Sequence, residues 1–229
     1  NAIASPLNRK LALLVGINQY PGNSPLSGCI TDVELQKELL IHRFGFVASD
    51  ILTLTDKQAT KTEIENAFLN HLTAQARSDD RVIFHFSGYG RCLQLSNKAE
   101  KGITTINSLV TSDDGIDNDL PEQTLELLLQ SLITPHITTI LDTGFLFPRV
   151  APNYLKVRSL PGLDQWQLTP QELAFQQEIK DKQQFFKQLP LILKATANGV
   201  AVEGQWTGFS AGLFTYALTQ YLWEATPTN

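Results

Sequence analysis

The 229-residue sequence predicts an α/β domain built on a mostly parallel central sheet with helices on both faces. Short, continuously apolar runs recur along the chain, as strands buried on both faces require. Segments with recognisable helix starts fall between them, and this alternation implies right-handed crossovers that lay helices on either side of the sheet.

The run Lys10 to Ile17 (KLALLVGI), closed by Gly16 and Asn18, reads as the first and central strand. Ile51 to Thr55, Val82 to Phe86, Ile137 to Leu141 and Leu189 to Ala197 share its character. Between them, Thr31 with Glu34, Thr60 with Glu63 and Thr169 with Glu172 have the spacing of capping boxes, and Pro170 suits a first helical position. After Thr60, Ile64, Ala67, Phe68, His71 and Leu72 form an apolar stripe for the sheet, which puts His71 on or beside a buried face. The last helix, Leu213 to Ala225, carries Leu213, Phe214, Ala217, Leu218, Tyr221, Leu222 and Ala225 on one face and is expected to dock by it.

Two segments break the alternation. Arg91 to Leu120 holds short candidate strands around Leu93 and Leu109 and an acidic turn, and predicts a hairpin on the rim of the sheet. Phe145 to Leu168 is rich in Pro, Gly and isolated aromatics and reads as a long surface loop. Parallel sheets of this kind place their sites beyond the carboxyl ends of the strands.

Composition narrows the function classes. A net charge of -5 without a run of Lys or Arg offers no footprint for nucleic acid. No stretch is long and apolar enough to span a bilayer, so no membrane partner and a soluble chain are expected. Cys29 and Cys92 are too few for a disulfide framework or a paired-ligand zinc site. The start at Asn1 and the lack of any Met suggest a piece of a longer protein, and both a cytoplasmic and an exported location fit that start.

Function enters through a resemblance. Leu11 to Tyr20 (LALLVGINQY), Gly28-Cys29-Ile30-Thr31-Asp32, Arg43-Phe44-Gly45-Phe46, Phe84 to Gly90 (FHFSGYG), Thr139 to Asp142 (TILD) and Gly208 to Ala217 (GFSAGLFTYA) follow one another as the landmarks of the metacaspases do. The series resembles that family and its bacterial relatives, the orthocaspases, over most of the chain. The resemblance implies the caspase-like three-layer sandwich over residues 1–229 as a single domain, with 1–150 similar to the large subunit, 151–168 a loop and 169–229 similar to the small subunit. It also implies a cysteine-protease scaffold, in which a His at the end of one central strand activates a Cys at the end of the next.

Both dyad positions differ here. The family's Ser-Gly-His-Gly reads Ser87-Gly88-Tyr89-Gly90, and its Asp-x-Cys reads Asp142-Thr143-Gly144. A phenol with a pKa near ~10 is a poor base at neutral pH, and glycine has no side chain to form an acyl intermediate. The expectation is therefore a pseudoprotease, a regulatory or scaffold domain that binds a peptide or protein. The alternative is an active cysteine endopeptidase cleaving after Arg or Lys with a displaced nucleophile, Cys92 or Cys29, and His85 or His71 as base; the strand order suggests neither pairing. His85 otherwise reads as a satisfied core histidine.

In metacaspases the pocket for the residue before the scissile bond is acidic, and its carboxylates map by motif onto Asp32 and Asp142. Ser87 and Cys29 flank it in the same landmarks, so these residues are the candidate substrate-binding set, and a ligand with Arg or Lys side chains is implied. Each Asp also has a plain structural role open to it, Asp32 in a first helical turn and Asp142 as a cap. Some metacaspases depend on calcium through acidic residues near the turn holding Asp113, Asp114, Asp117 and Asp119. That spacing does not fit an EF-hand, so a solvated turn is the reading adopted and no cofactor is expected, with calcium left open as the alternative.

Overall fold

The computed structural model describes residues 8–95, 104–150, 155–182, 190–196 and 199–225. The first half runs β1 (Lys10–Gly16), α1 (Cys29–His42), β2 (Ile51–Thr55), α2 (Lys61–Ala67), β3 (Arg81–Ser87), β4 (Gly90–Leu95), β5 (Thr104–Leu109) and β6 (Leu120–Pro121). The second runs α3 (Glu122–Gln130), β7 (Ile137–Asp142), β8 (Lys156–Val157), β9 (Leu163–Trp166), α4 (Pro170–Lys180), β10 (Leu191–Lys194), β11 (Val202–Trp206), β12 (Phe209–Gly212) and α5 (Leu213–Glu224).

The central sheet has the order β10-β7-β3-β1-β2, and every pair in it is parallel. Side chains along β1 alternate between two cores, as a period of two demands. Leu11, Leu13 and Val15 join Phe84, Phe86 and Leu141 beneath Ile64 and Phe68, Leu125 and Leu128, and Ile179. On the other face Ala12, Leu14 and Ile83 meet Val33 and Leu40 of α1. The continuous apolar runs are thus strands covered on both sides.

The helix starts divide. Thr60 and Thr169 are N-caps whose hydroxyls accept from the Glu63 and Glu172 N–H groups, with Pro170 opening α4. The reciprocal half of the second box is not made, because the Glu172 carboxylate turns inward to Lys61 and Thr124. Thr31 is not a cap. Helix α1 begins two residues earlier, and side chains from distant elements take its first amides: Asn18 Oδ1 accepts from Cys29 N–H at 2.9 Å, and Glu203 Oε1 from Gly28 N–H at 2.7 Å. Thr60→Ala is expected to cost about 1 kcal/mol in urea denaturation, the usual worth of such a cap.

Other expectations are corrected. The segment 145–168 is not simply a surface loop, since it contributes β8 and β9 and buries Arg158, Ser159, Leu160 and Trp166. Strands of two and four residues are too short to leave a periodic trace. The last sheet strand is Leu191–Lys194, shorter than predicted; Leu189 and Ala197 lie outside the described residues. Helix α5 does dock, but through Thr215 and Thr219, while Tyr221 on the predicted face is 70% exposed. Polar contacts set that orientation: Thr219 Oγ1 accepts from Gln36 Nε2 of α1 at 2.8 Å, and Asp142 holds Thr215 N–H.

The rim hairpin is present as β4 and β5, its connection at 96–103 lying outside the described residues. With β6 and β9 these strands form a second sheet, and β12, β11 and β8 form a third. Both small sheets close over the carboxyl edge of the central one through 158–160 and 201–212, where the candidate site lies.

Candidate functional site

Strands β3 and β7 are neighbours, and their register places Ser87 beside Asp142 at their carboxyl ends. Helix α1 brings Asp32 and Cys29 over the end of β1; a Cβ on Gly16 would lie 2.5 Å from the Cys29 carbonyl oxygen, so only glycine lets the helix sit so close. The motif-matched residues Asp32, Asp142, Ser87 and Cys29, drawn from three elements, therefore converge, and all are buried.

What joins them is Arg158, whose side chain is 0% exposed. Its Nη1 lies 2.7 Å from Asp32 Oδ2, 3.2 Å from Asp142 Oδ1 and 2.7 Å from Ser87 Oγ, and its Nη2 lies 3.1 Å from Glu203 Oε1. Ser87 Oγ also donates to Asp32 Oδ2 at 2.6 Å. Three carboxylates around one guanidinium leave an excess of negative charge, and two helix starts offset it. Glu203 accepts from Ser27 and Gly28 at the start of α1; Asp32 Oδ1 accepts from Gly212 N–H and Asp142 Oδ2 from Thr215 N–H, both at 2.9 Å, at the start of α5. A Cβ on Gly212 would fall 2.1 Å from Asp142 Oδ2, so the pocket wall requires glycine there.

The titration of the cluster follows from this sharing. Burial opposes the charge on Arg158, but Cys29, Asp142, Asp32 and Glu203 around it hold its pKa above the ordinary arginine value. Burial raises Asp32 to about 6, against the pull of Arg158 and with Asp142 adding to the rise. Asp32 rises because burial outweighs its share of the one cation, and Arg158 rises because several acids surround it.

The two positions that carry the dyad in the resembled family lie beside the main chain of Arg158. Tyr89 is 4% exposed, its ring 4.9 Å from that of Tyr20. Its hydroxyl donates to the Ser24 carbonyl at 3.0 Å, and burial, with Glu203 and Cys29 nearby, pushes the phenol up to about 12. A phenol with that pKa keeps its proton at neutral pH, here in a hydrogen bond to the Ser24 carbonyl. Gly144 follows β7 and presents only backbone. Its N–H and that of Gly90, next to Tyr89, both donate to the Arg158 carbonyl oxygen, at 3.0 and 3.2 Å.

Main-chain bonds hold the segment around Arg158 on both sides. Lys156 and Val157 pair antiparallel with Glu203 and Val202, and Arg158 N–H donates to the Ala201 carbonyl at 2.8 Å. Ser159 bridges to Gly90 in parallel register, and Leu160 N–H donates to the Gly90 carbonyl at 2.8 Å.

The remaining candidates stand apart. Cys29 Sγ lies 3.8 Å from Glu203 Oε1, and burial pushes its thiol far up, the reverse of an activated nucleophile. Cys92 lies half-buried in β4. His71 Nε2 sits 3.1 Å from the Ala12 and Asp50 carbonyls. His85 is buried as expected, but neither ring nitrogen has a hydrogen-bond partner, so it is not the satisfied core residue predicted. Among the described residues neither thiol is hydrogen-bonded to an imidazole. In the acidic turn, Asp113 Oδ2 accepts from Lys61 N–H and Thr111, and Asp119, buried rather than solvated, pairs with Arg91 at 2.8 Å.

Sequence reasoning missed Arg158 and Glu203. Neither sits in a local pattern. The available signal was indirect: two aspartates facing one pocket in the interior need a cation, and the segment between β7 and α4 supplies one.

A parallel central sheet with helices on both faces and small sheets over its carboxyl edge has the architecture of the caspase-like class of fold. Protein GSU0716 from Geobacter sulfurreducens shares this fold with a TM-score of 0.64 and 19% identity over 93% of this chain and 81% of that one. Pro-sf-caspase-1 does so with a TM-score of 0.53 and 14% identity over 97% of this chain and 75% of that one. The family model for the metacaspase peptidase C14 domain matches residues 10–145, and the chain belongs to the metacaspase family. Metacaspase-1 of Meyerozyma guilliermondii is 39% identical over 87 residues, 36% of this chain and 21% of the relative. Metacaspase-9 of Arabidopsis thaliana is 39% identical over 90 residues, 37% of this chain and 28% of the relative. The matched stretch thus spans only 21% and 28% of these two relatives. Among the described residues no helix is long and apolar enough to cross a membrane.

Proposed function

We propose that this metacaspase-family domain does not cleave peptides and acts as a regulatory or scaffold module that binds a peptide or protein partner. The observation that carries the reading is the pair Tyr89 and Gly144. At the two positions where the family resemblance requires a base and a thiol, the chain has a phenol with a committed proton and a residue without a side chain. Positioning and backbone donors alone are worth roughly 10³–10⁴ over water, far short of a working protease.

The test uses fluorogenic peptides ending in Arg or Lys, with and without calcium, together with a thiol-reactive peptide probe. Hydrolysis at the enzyme-free background and no labelling are expected. Turnover that disappears on Cys92→Ala or Cys29→Ala would overturn the reading in favour of a protease with a displaced nucleophile.

A further inference from the structure

We infer that residues 156–160 are an internal pseudosubstrate, the chain's own segment lying across its vestigial site with Arg158 in the position of the residue before a scissile bond and Ser159 after it. This rests on the reading that no nucleophile is present, since the segment is continuous.

Three independent features agree. The Arg158 side chain fills the acidic pocket of Asp32, Asp142 and Glu203. Its carbonyl oxygen receives the Gly90 and Gly144 amides, at 3.2 and 3.0 Å, and two convergent N–H groups on one carbonyl are what an acyl-transfer site offers a developing oxyanion. The main chain is bound as an added strand, antiparallel to β11 before Arg158 and parallel to Gly90 after it, which is how extended peptides are recognised. A buried arginine serving only as structural glue accounts for the first feature. It does not account for the carbonyl between the amides that flank both replaced positions, nor for the 3.6 Å between that oxygen and a Cβ built on Gly144.

The occupant of this pocket is therefore already in place, Arg158 of the chain's own extended segment. An outside peptide ending in Arg has to displace residues 156–160, so no saturable binding is expected up to about 1 mM.

The decisive experiment restores the chemistry with Tyr89→His and Gly144→Cys together in the full chain. The introduced thiolate would attack the Arg158 carbonyl carbon. The introduced imidazole takes the thiol proton and delivers it to the Ser159 nitrogen as the C–N bond breaks, leaving a thioester and a free amine. Water then hydrolyses the thioester, releasing the Arg158 carboxylate and returning the thiol.

Intact mass should show two fragments with a new amino terminus at Ser159, formed at a rate independent of protein concentration, while Tyr89→His with Gly144→Ala stays whole. Cleavage of an added Arg-ended peptide with the 158–159 bond left intact overturns the inference. A Cβ on Gly144 would lie 2.9 Å from Ala201 N, so the backbone just before β11 has to yield and the graft can be silent. Amide hydrogen exchange on the unaltered protein then decides. Gly90, Gly144, Arg158 and Leu160 should exchange as slowly as the amides of β3, and rapid exchange at Arg158 and Leu160 would show the segment free and sink the inference. Thiol-dependent hydrolysis by the unaltered protein would remove the inactive reading and leave the exchange result standing, so the two failures are separable.

Discussion

Arg158→Met is expected to lower the stability of the domain by about 3–5 kcal/mol at pH 7, the cost of stranding buried charges whose partner has been removed. The guanidinium is the cation shared by Asp32, Asp142 and Glu203, and none of these carboxylates can reach water in place. Methionine fills much of the volume, so the loss reports charge rather than a cavity. The pH dependence has a definite sign. Asp32, already raised to about 6 by burial, loses the guanidinium that holds it down, and its folded pKa climbs further. A carboxyl with a raised folded pKa adds stability as pH falls and loses it as pH rises through that pKa. The deficit of the variant should therefore shrink between pH 7 and pH 5, and adding Asp32→Asn should recover part of it. Guanidinium denaturation at the two pH values measures both; a loss under about 1 kcal/mol, or one that grows on acidification, contradicts the shared-cation account.

The same cluster explains why the fold was legible in the sequence and part of the site was not. Strands such as Lys10–Gly16 are buried on both faces, so nearly every residue records the burial, and local pattern suffices. Asp32, Ser87 and Asp142 were found because they sit in landmarks tied to strand and helix ends. Arg158 and Glu203 lie in a two-residue strand's flank and a five-residue rim strand, where neither apolar periodicity nor capping chemistry marks a position. Their roles arise only when segments far apart in sequence meet, as Glu203 does with Gly28 and Arg158.

Long-range polar contacts also misled the local rules. Thr31 has the spacing of a cap, but Asn18 and Glu203 satisfy the first amides of α1 and the helix starts earlier. The apolar residues of α5 describe a stripe, but the helix is turned by Asp142 at its start and Gln36 along its side, so Thr215 and Thr219 face inward. In both places a carboxylate of the acidic cluster, Glu203 or Asp142, takes part in overriding local propensity. The site organises the helix ends as much as the helices position the site.

His85→Leu is expected to stabilise the domain, and by more as the pH falls. His85 stands in the middle of the central sheet, fully buried, with neither ring nitrogen paired, and removing an unsatisfied buried group is worth about 1–3 kcal/mol at pH 7. Burial lowers its pKa to about 4, with Asp142 pulling it up and Arg158 pushing it down. A histidine with a depressed folded pKa contributes stability above its unfolded value near 6.5 and loses it as pH falls toward 4, because only the unfolded chain takes the proton. Over that window the loss approaches about 3 kcal/mol. Asp32 acts oppositely: raised to about 6 by burial, it adds stability as the pH falls, so in the unaltered protein the two contributions oppose each other. The leucine variant removes one side of that balance. Its advantage over the unaltered protein, read from denaturation midpoints at pH 7, 6 and 5, should widen at each step; an advantage that stays constant or narrows would mean that the imidazole is charged in the folded state and finds a partner there.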